Sequence, residues 1–493
     1  MQQSALIIGS GIGGLASAIR LAVKGYAVDV FEQSALPGGK ISQRQSSGFR
    51  FDTGPSLFTM PQLVDELFQL AGKKPDSYFR YSPLDSSCKY FWEDGTHITA
   101  WKDPEKFASE IAANTSVKAE QVLAFLKKSQ RLYDITHEVF LFSSFHKPAN
   151  YLKPAFRKSL FRLHELDAFT TMHRKNSRWF SDHKVIQLFD RYATYNGSSP
   201  YKTPATLNII PHLEHNIGAF FPEKGMYHIV DALYRLSLDL GVRFHFETPV
   251  KAIHTKGGRV VRVETSKTTM TPDIVISNVD IIKLYGGLLP GQSVPKKQLS
   301  RERSSSALIF YWGIDRVFDK LSLHNIFFSK NYKAEFDHLF EKKSISDDPT
   351  VYIFISCKQI PEDAPPGFEN WYVMINAPEN IGQDWNSLIA AARFNILKKI
   401  HRITGVDIAS HIVTESMADP RSIEAETASF RGSLYGLSSN SSFSAFNRHP
   451  NFKKSIKNLY FTGGSVHPGG GIPLCLASAR IVDEAIQPDP IKH

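Results

Sequence analysis

The chain has 493 residues, 42% of them hydrophobic and 22% charged, ordinary globular proportions that exclude a disordered, collagenous or coiled-coil protein. Its 58 basic against 48 acidic residues leave a net charge of +10, which calls for an anionic partner surface, lipid or nucleic acid. At roughly 150 residues per domain, two or three domains are expected. The scattered cysteines, Cys88, Cys357 and Cys475, form neither a disulfide framework nor a metal-binding pattern, so a reduced, cytoplasmic setting and no metal site are expected. No stretch reads as a membrane span, and Met1–Ser4 lacks the basic flank of a secretory signal.

The first forty residues predict strand–turn–helix–strand. An apolar strand, Ala5–Ile8, meets Gly9-Ser10-Gly11-Ile12-Gly13-Gly14, after which Leu15, Ala16, Ile19, Ala22 and Val23 recur at helical spacing. Gly25-Tyr26 closes the helix, and a second strand from Val28 ends at Glu32. In such a turn Gly9 permits the bend, Gly11 lets backbone approach a pyrophosphate, and Gly14 lets the helix pack on the strand. The helix start offers N–H groups to phosphate, and Glu32 can accept hydrogen bonds from an adenosine ribose. NAD and FAD both fit so far. The following segments, Gly38-Gly39-Lys40 and Asp52-Thr53-Gly54-Pro55-Ser56, lack a second complete strand–helix–strand half, and a chain returning over its cofactor suits the longer FAD.

Residues Asp76–Lys175 read as mostly helical. From His137 to Trp179, basic residues (Lys147, Lys153, Arg157, Lys158, Arg162) interleave with aromatic and leucine residues, the pattern of an interfacial amphipathic segment. A solvated helix pair is the bland alternative. Nucleic acid is set aside because no RNA- or DNA-binding signature accompanies the segment. Arg191–Tyr201 is a pocket wall or a plain loop. Pro222–Met226 opens a helix, Val242–Phe246 is a strand, Lys256–Arg259 is a hairpin turn, and Asp273–Asp280 holds a further buried strand, so the nucleotide domain resumes here. Apolar strands at Leu308–Trp312 and Val351–Ser356 predict a second sheet domain.

Near the end, Thr462-Gly463-Gly464-Ser465-Val466-His467-Pro468-Gly469-Gly470-Gly471-Ile472-Pro473 again joins a strand to a helix through a glycine-rich turn. Two such turns at opposite ends of one chain can clasp the two ends of one FAD. On the first strand–helix–strand unit, the Asp52–Pro55 turn, the Pro222–Met226 turn and the Thr462–Pro473 signature, the chain resembles the FAD-dependent carotenoid desaturases of the bacterial phytoene desaturase type. Arg191–Asn208 is similar to the hydroxycarotenoid 3,4-desaturase subgroup. The chain departs from the family pattern at Lys224-Gly225-Met226, where Gly-Gly-Met is usual, and at Gly463-Gly464, where Gly-Ala is frequent.

The resemblance implies an α/β fold: a Rossmann-like FAD-binding domain of the glutathione-reductase/amine-oxidase type, a discontinuous α+β substrate domain and a helical membrane-facing region. The FAD domain would comprise 1–75, 222–284 and 420–493, the substrate domain 76–136, 181–221 and 285–419, and the membrane-associating region 137–180. Ile12, Gly13, Gly14, Glu32, Gln33 and Lys40 would hold adenosine and pyrophosphate, with Val250 at the adenine. Gly54, Pro55, Ser56, Gly464, Ser465, Gly471 and Ile472 would surround ribityl and flavin. His467 could relay a proton or simply bond to backbone, and Glu223 would lie near substrate. Arg191 and Tyr195 could bond a substrate hydroxyl or form a core salt bridge. Asp52 could orient the flavin or cap a turn, the latter being favoured. The implied reaction removes two hydrogens from a carotenoid C–C bond by hydride transfer to the flavin, at a membrane surface facing the cytoplasm, with oxygen or quinone as terminal electron acceptor. An isomerase or saturase using reduced FAD, and a non-catalytic isoprenoid-lipid carrier, are the alternatives.

Overall fold

The structure is a computed structural model that describes residues 2–486 except 145 and 153. Phe145 and Lys153 of the basic segment therefore lie outside the described residues, as do the side chains of Lys158, Leu160, Phe161 and Leu163.

The N-terminal unit forms as its spacing dictates. The strand Ser4–Ile8 leads into the helix Ile12–Val23, whose apolar positions are buried, and the helix hands over to the strand Ala27–Phe31 after Gly25 at φ +88°. A Cβ added at Gly14 would lie 2.0 Å from the Gly9 carbonyl oxygen, so only glycine lets the helix come this near the turn. Around this unit grows a six-stranded sheet ordered 452–453, 456–461, 274–277, 4–8, 27–31, 243–245, parallel except for its terminal 452–461 hairpin. Strands from both ends of the chain and from its middle thus share one sheet. The hairpin Val250–Lys256 to Arg259–Thr265 turns on Gly257 and Gly258, both at positive φ (+60° and +73°), as two-residue hairpin loops require.

A seven-stranded mixed sheet forms the second layer, in the order 412–418, 306–314, 369–377, 351–355, 324–327, 86–91, 97–101. Its central strands are buried on both faces. Leu308, Phe310 and Trp312 pack towards the helix Trp385–Thr404, while Ala307, Ile309 and Tyr311 face the other side, towards the nucleotide domain. The region 76–175 is mostly helical, as expected, but it also contributes strands that the sequence does not announce. Tyr81–Pro83, Ser86–Phe91 and His97–Trp101 are strands, the last two at the edge of the large sheet. Ser87 and Lys89 interrupt the apolar run there, so the strand signal is hidden in the sequence. Helices do follow, at Pro104–Asn114, Ala119–Phe140, Pro154–Phe161 and Met172–Trp179.

Candidate active site

One cavity of about 600 Å3 lies between the two sheets, within the range of small-molecule sites. Its wall includes the first glycine turn (Gly9, Gly11, Ile12, Gly13), Gly54, Pro55 and Ser56, then Gly464, Ser465, Gly471 and Ile472, and also Arg191, Tyr195 and Glu214. The N-terminal and C-terminal loops therefore border the same space.

Two helices open on that space with uncapped amides. The helix Ile12–Val23 starts at Gly11 and the helix Ile472–Ala485 at Gly471, and neither start has a side-chain cap. Orphan N–H groups and the positive ends of both helix dipoles meet at the cavity, the arrangement that accepts phosphate or an electron-rich ring edge. Gly471, at φ +110°, has nothing within 4 Å of where a Cβ would stand, so a ligand can lie against bare backbone. Glu32 is buried at the tip of its strand and lines the cavity. Its carboxylate accepts from the Ser10 N–H and hydroxyl, each at 2.8 Å, and from the Ser34 N–H at 2.9 Å. These donors fix its orientation and leave lone-pair capacity for a ribose hydroxyl. Gln33 and Val250 border the same cavity. Lys40 also lines the cavity; its ammonium donates to the carbonyls of Leu434 (2.6 Å) and Ser433 (3.3 Å), and burial pushes its pKa down. The donor set, two open helix starts, a half-buried ammonium and a ribose-height carboxylate, fits an FAD.

Several expected residues stand elsewhere. Gly14 does not border the cavity; it seats the helix on the turn. Asp52 caps the helix Tyr227–Asp239, accepting from the Met226 N–H at 2.8 Å and the Tyr227 N–H at 3.1 Å, and it pairs with Arg50. Glu223 is exposed and outside the cavity wall. His467 is buried but also outside that wall. Its N–H bonds to the His449 carbonyl, and this turns the ring to the Ser143 carbonyl (2.9 Å) and against His146. Burial drives its pKa down to about 4.

The wall at Arg191 and Glu214 is polar and buried. The helical turn Arg191–Asn196 carries Arg191, Tyr192 and Tyr195 inward. Arg191 lies 3.2 Å from Glu214 and donates to the Tyr90 hydroxyl at 2.5 Å. Glu214 also accepts from Ser87 (2.6 Å), Tyr192 (3.1 Å) and Tyr195. Burial raises the Glu214 pKa, but Arg191, His215 and the hydroxyl donors outweigh it and hold the carboxyl down to about 2. Beside this pair the large sheet presents Ile309, Ile326, Tyr352, Tyr372 and Met374, with His324. Sequence reasoning missed Glu214, His324 and Tyr352. Glu214 carries a legible sign, a carboxylate directly after Leu213 in the segment Ile209–Ile217; the other two become partners only through strand register.

The sequence matches the family described as flavin containing amine oxidoreductase over residues 12–486. It is 48% identical over 486 residues to a 1-hydroxycarotenoid 3,4-desaturase of Flavobacterium sp., covering 98% of this chain and 99% of that one. It is 33% identical over 494 residues to a 4,4'-diapolycopene oxygenase of Methylomonas sp., covering 99% and 98%. Among solved structures, putrescine oxidase bound to putrescine superposes with a TM-score of 0.63 at 12% identity, covering 98% of both chains. A fatty acid isomerase of P. acnes does so with a TM-score of 0.61 at 13% identity, covering 97% of both. These last two share the fold. The chain belongs to the flavin containing amine oxidoreductase family and is an FAD-dependent oxidoreductase.

Proposed function

We propose that this protein introduces a C–C double bond into a carotenoid, the favoured reaction being 3,4-desaturation of a hydroxylated or monocyclic carotenoid. One observation carries the reading: a single cavity is walled by both dinucleotide turns, by apolar residues of the large sheet and by the buried Arg191–Glu214 pair. A hydrocarbon chain offers no oxygen or nitrogen for a metal or a nucleophile, so a hydride acceptor held in a dry site has to do the chemistry. FAD, when bound, supplies that acceptor. The chain's own part is to seat the polyene against Ile309, Ile326, Tyr372 and Met374, exclude water and fix which bond faces the flavin. The relative's name puts a hydroxyl at C1 and the reacting bond at C3–C4, two bonds away. A group that binds such a hydroxyl has to lie close to the flavin loops; Arg191, Tyr195 and Glu214 line the same cavity as Ser56 and are the candidates for it.

Peripheral attachment to the inner face of the membrane, with oxygen or quinone as electron acceptor, belongs to the same proposal. Among the described residues no helix is long and apolar enough to cross a membrane. Leu152 (80% exposed) and Phe443 (61%) project from neighbouring segments with Tyr151 and Phe446 also exposed. Those segments touch where Phe446 packs on Phe140 and Lys147 lies over Phe452. Arg157, Arg162 and Arg174 add positive charge nearby in the chain. Apolar tips among basic residues suit an anionic lipid surface.

The test is spectroscopic. FAD-loaded protein with a hydroxylated carotenoid in liposomes, given oxygen or a quinone, is expected to shift the polyene absorption to longer wavelength. No shift with any hydroxylated or monocyclic substrate under either acceptor would contradict the proposal.

A further inference from the structure

The desaturation proposed above releases a proton as well as a hydride, and the structure offers a group to take it. His324 opens the strand His324–Phe327, is 2% exposed and lines the cavity. Its Nδ1 lies 2.7 Å from the Tyr352 hydroxyl, which lies 2.6 Å from the Ser56 hydroxyl, so a hydrogen-bonded row runs from the imidazole to the loop expected beside the flavin. Stacking on Phe354, with centroids 5.2 Å apart, holds the ring in place. His324 Nε2 is buried and has no hydrogen-bond partner among the described residues. A buried nitrogen without a partner is disfavoured, and a ligand that gives it a proton would satisfy it.

We propose that His324 Nε2 is the proton acceptor of the reaction. The inference rests on the desaturase reading. The allylic C–H bond breaks with both electrons leaving as hydride to the flavin. The neighbouring C–H bond then breaks, its electron pair becomes the new π bond, and its proton moves to Nε2. The step requires the tautomer in which Nδ1–H donates to Tyr352 and its O–H to Ser56, which leaves the Nε2 lone pair free to accept the proton. A hydroxyl anchored at Arg191, Tyr195 and Glu214 would bring C3 close to a group beside that cluster, and His324 is near enough to feel the charges of Glu214 and Arg191. Burial keeps the imidazole neutral, driving its pKa down to about 3, with Glu214 opposing and Arg191 reinforcing the shift. A base this weak suffices, because a C–H bond next to a polyenyl cation is strongly acidic.

The experiment uses FAD-loaded wild-type, His324→Gln, His324→Ala and Tyr352→Phe proteins with a hydroxylated carotenoid under anaerobic conditions. Flavin bleaching and polyene absorption are followed in a single turnover, and carotenoid binding is measured separately from the polyene spectrum with the bound flavin already reduced, which cannot accept a hydride. Loss of a general base is expected to slow turnover by about 100-fold or more in both His324 variants, with binding altered less than about threefold. Added imidazole restores part of the rate to His324→Ala. Tyr352→Phe, which keeps the histidine but loosens its orientation, slows turnover by roughly tenfold or more. Variants that bind FAD and turn over within about threefold of wild type would overturn the assignment and leave the desaturase reading standing. So would variants whose only defect is carotenoid binding. A wild-type protein that desaturates nothing would overturn both. If the His324 variants lose FAD, Tyr352→Phe alone decides.

Discussion

Replacing Glu214 by Gln removes one charge from a pair that no solvent screens. Glu214 and Arg191 are both buried, at 2% and 8% exposure, so the variant leaves a guanidinium facing tyrosines alone. A carboxyl held from its ordinary 4.5 down to about 2 is favoured as the anion by about 3 kcal/mol. Removing one partner of a buried pair generally costs about 3–5 kcal/mol, so the two routes agree. The assay is urea unfolding at pH 7.5, followed by the emission of Trp312 and Trp371, which are fully buried in the large sheet. Glu214→Gln is expected to lower the midpoint by roughly 0.5–1 M, because the urea dependence steepens with chain length. Arg191→Met added to it takes away the stranded cation and recovers a large part of the loss. A single variant within about 0.5 kcal/mol of wild type, or a double variant no better than the single, would refute the claim that Arg191 depends on this carboxylate.

The remaining expectations concern the cofactor, pH and lipid. Glu32→Ala removes the ribose-facing acceptor and should weaken FAD binding about 10- to 100-fold, read as the flavin-to-protein ratio after dialysis; full retention would contradict the ribose assignment. Gly14→Ala would place a methyl 2.0 Å from the Gly9 carbonyl, so soluble protein that still binds FAD normally would show the turn to be far more yielding than its geometry. His215, His449 and His467 are held near pKa 4 by burial and His324 near 3, all below the ordinary 6.5 of the unfolded chain. The unfolded state therefore binds more protons between pH 6.5 and 4, and stability falls as pH drops through that window; a urea midpoint at pH 5 equal to that at pH 7.5 would be the contrary result. Leu152→Asp with Phe443→Asp should reduce flotation with phosphatidylglycerol vesicles, and unchanged flotation would remove the lipid-facing role of these segments.

The parts of the site that were legible in the sequence are those the chain builds locally. Gly9–Gly14, Gly54–Ser56 and Gly463–Ile472 each join a strand to a turn within a few residues, and their spacing states what the backbone does. Glu32 is legible because the second strand is short and ends on it. Long-range register is a different matter. His324 meets Tyr352 because the strand 324–327 pairs with 351–355, and Tyr352 meets Ser56 because that sheet packs against the Gly54–Ser56 loop. No local pattern announces either contact. The strands at 86–101 escaped because Ser87, which bonds to Glu214, supplies a polar residue where a buried strand would ordinarily show an apolar one. His467 misleads for a related reason: motif membership puts it next to the flavin loop, while its backbone pairing with His449 directs the ring to Ser143 instead.

A crystal structure of the protein with FAD tests the central claim most directly. The account expects one FAD, its adenosine at Glu32 and Val250, its phosphates at the start of the helix Ile12–Val23, and its ring between Gly54–Ser56 and Gly464–Ile472, with one edge open to His324 and Tyr352. A flavin contacting only one of the two glycine loops, or a ring turned away from the apolar sheet face, would contradict it.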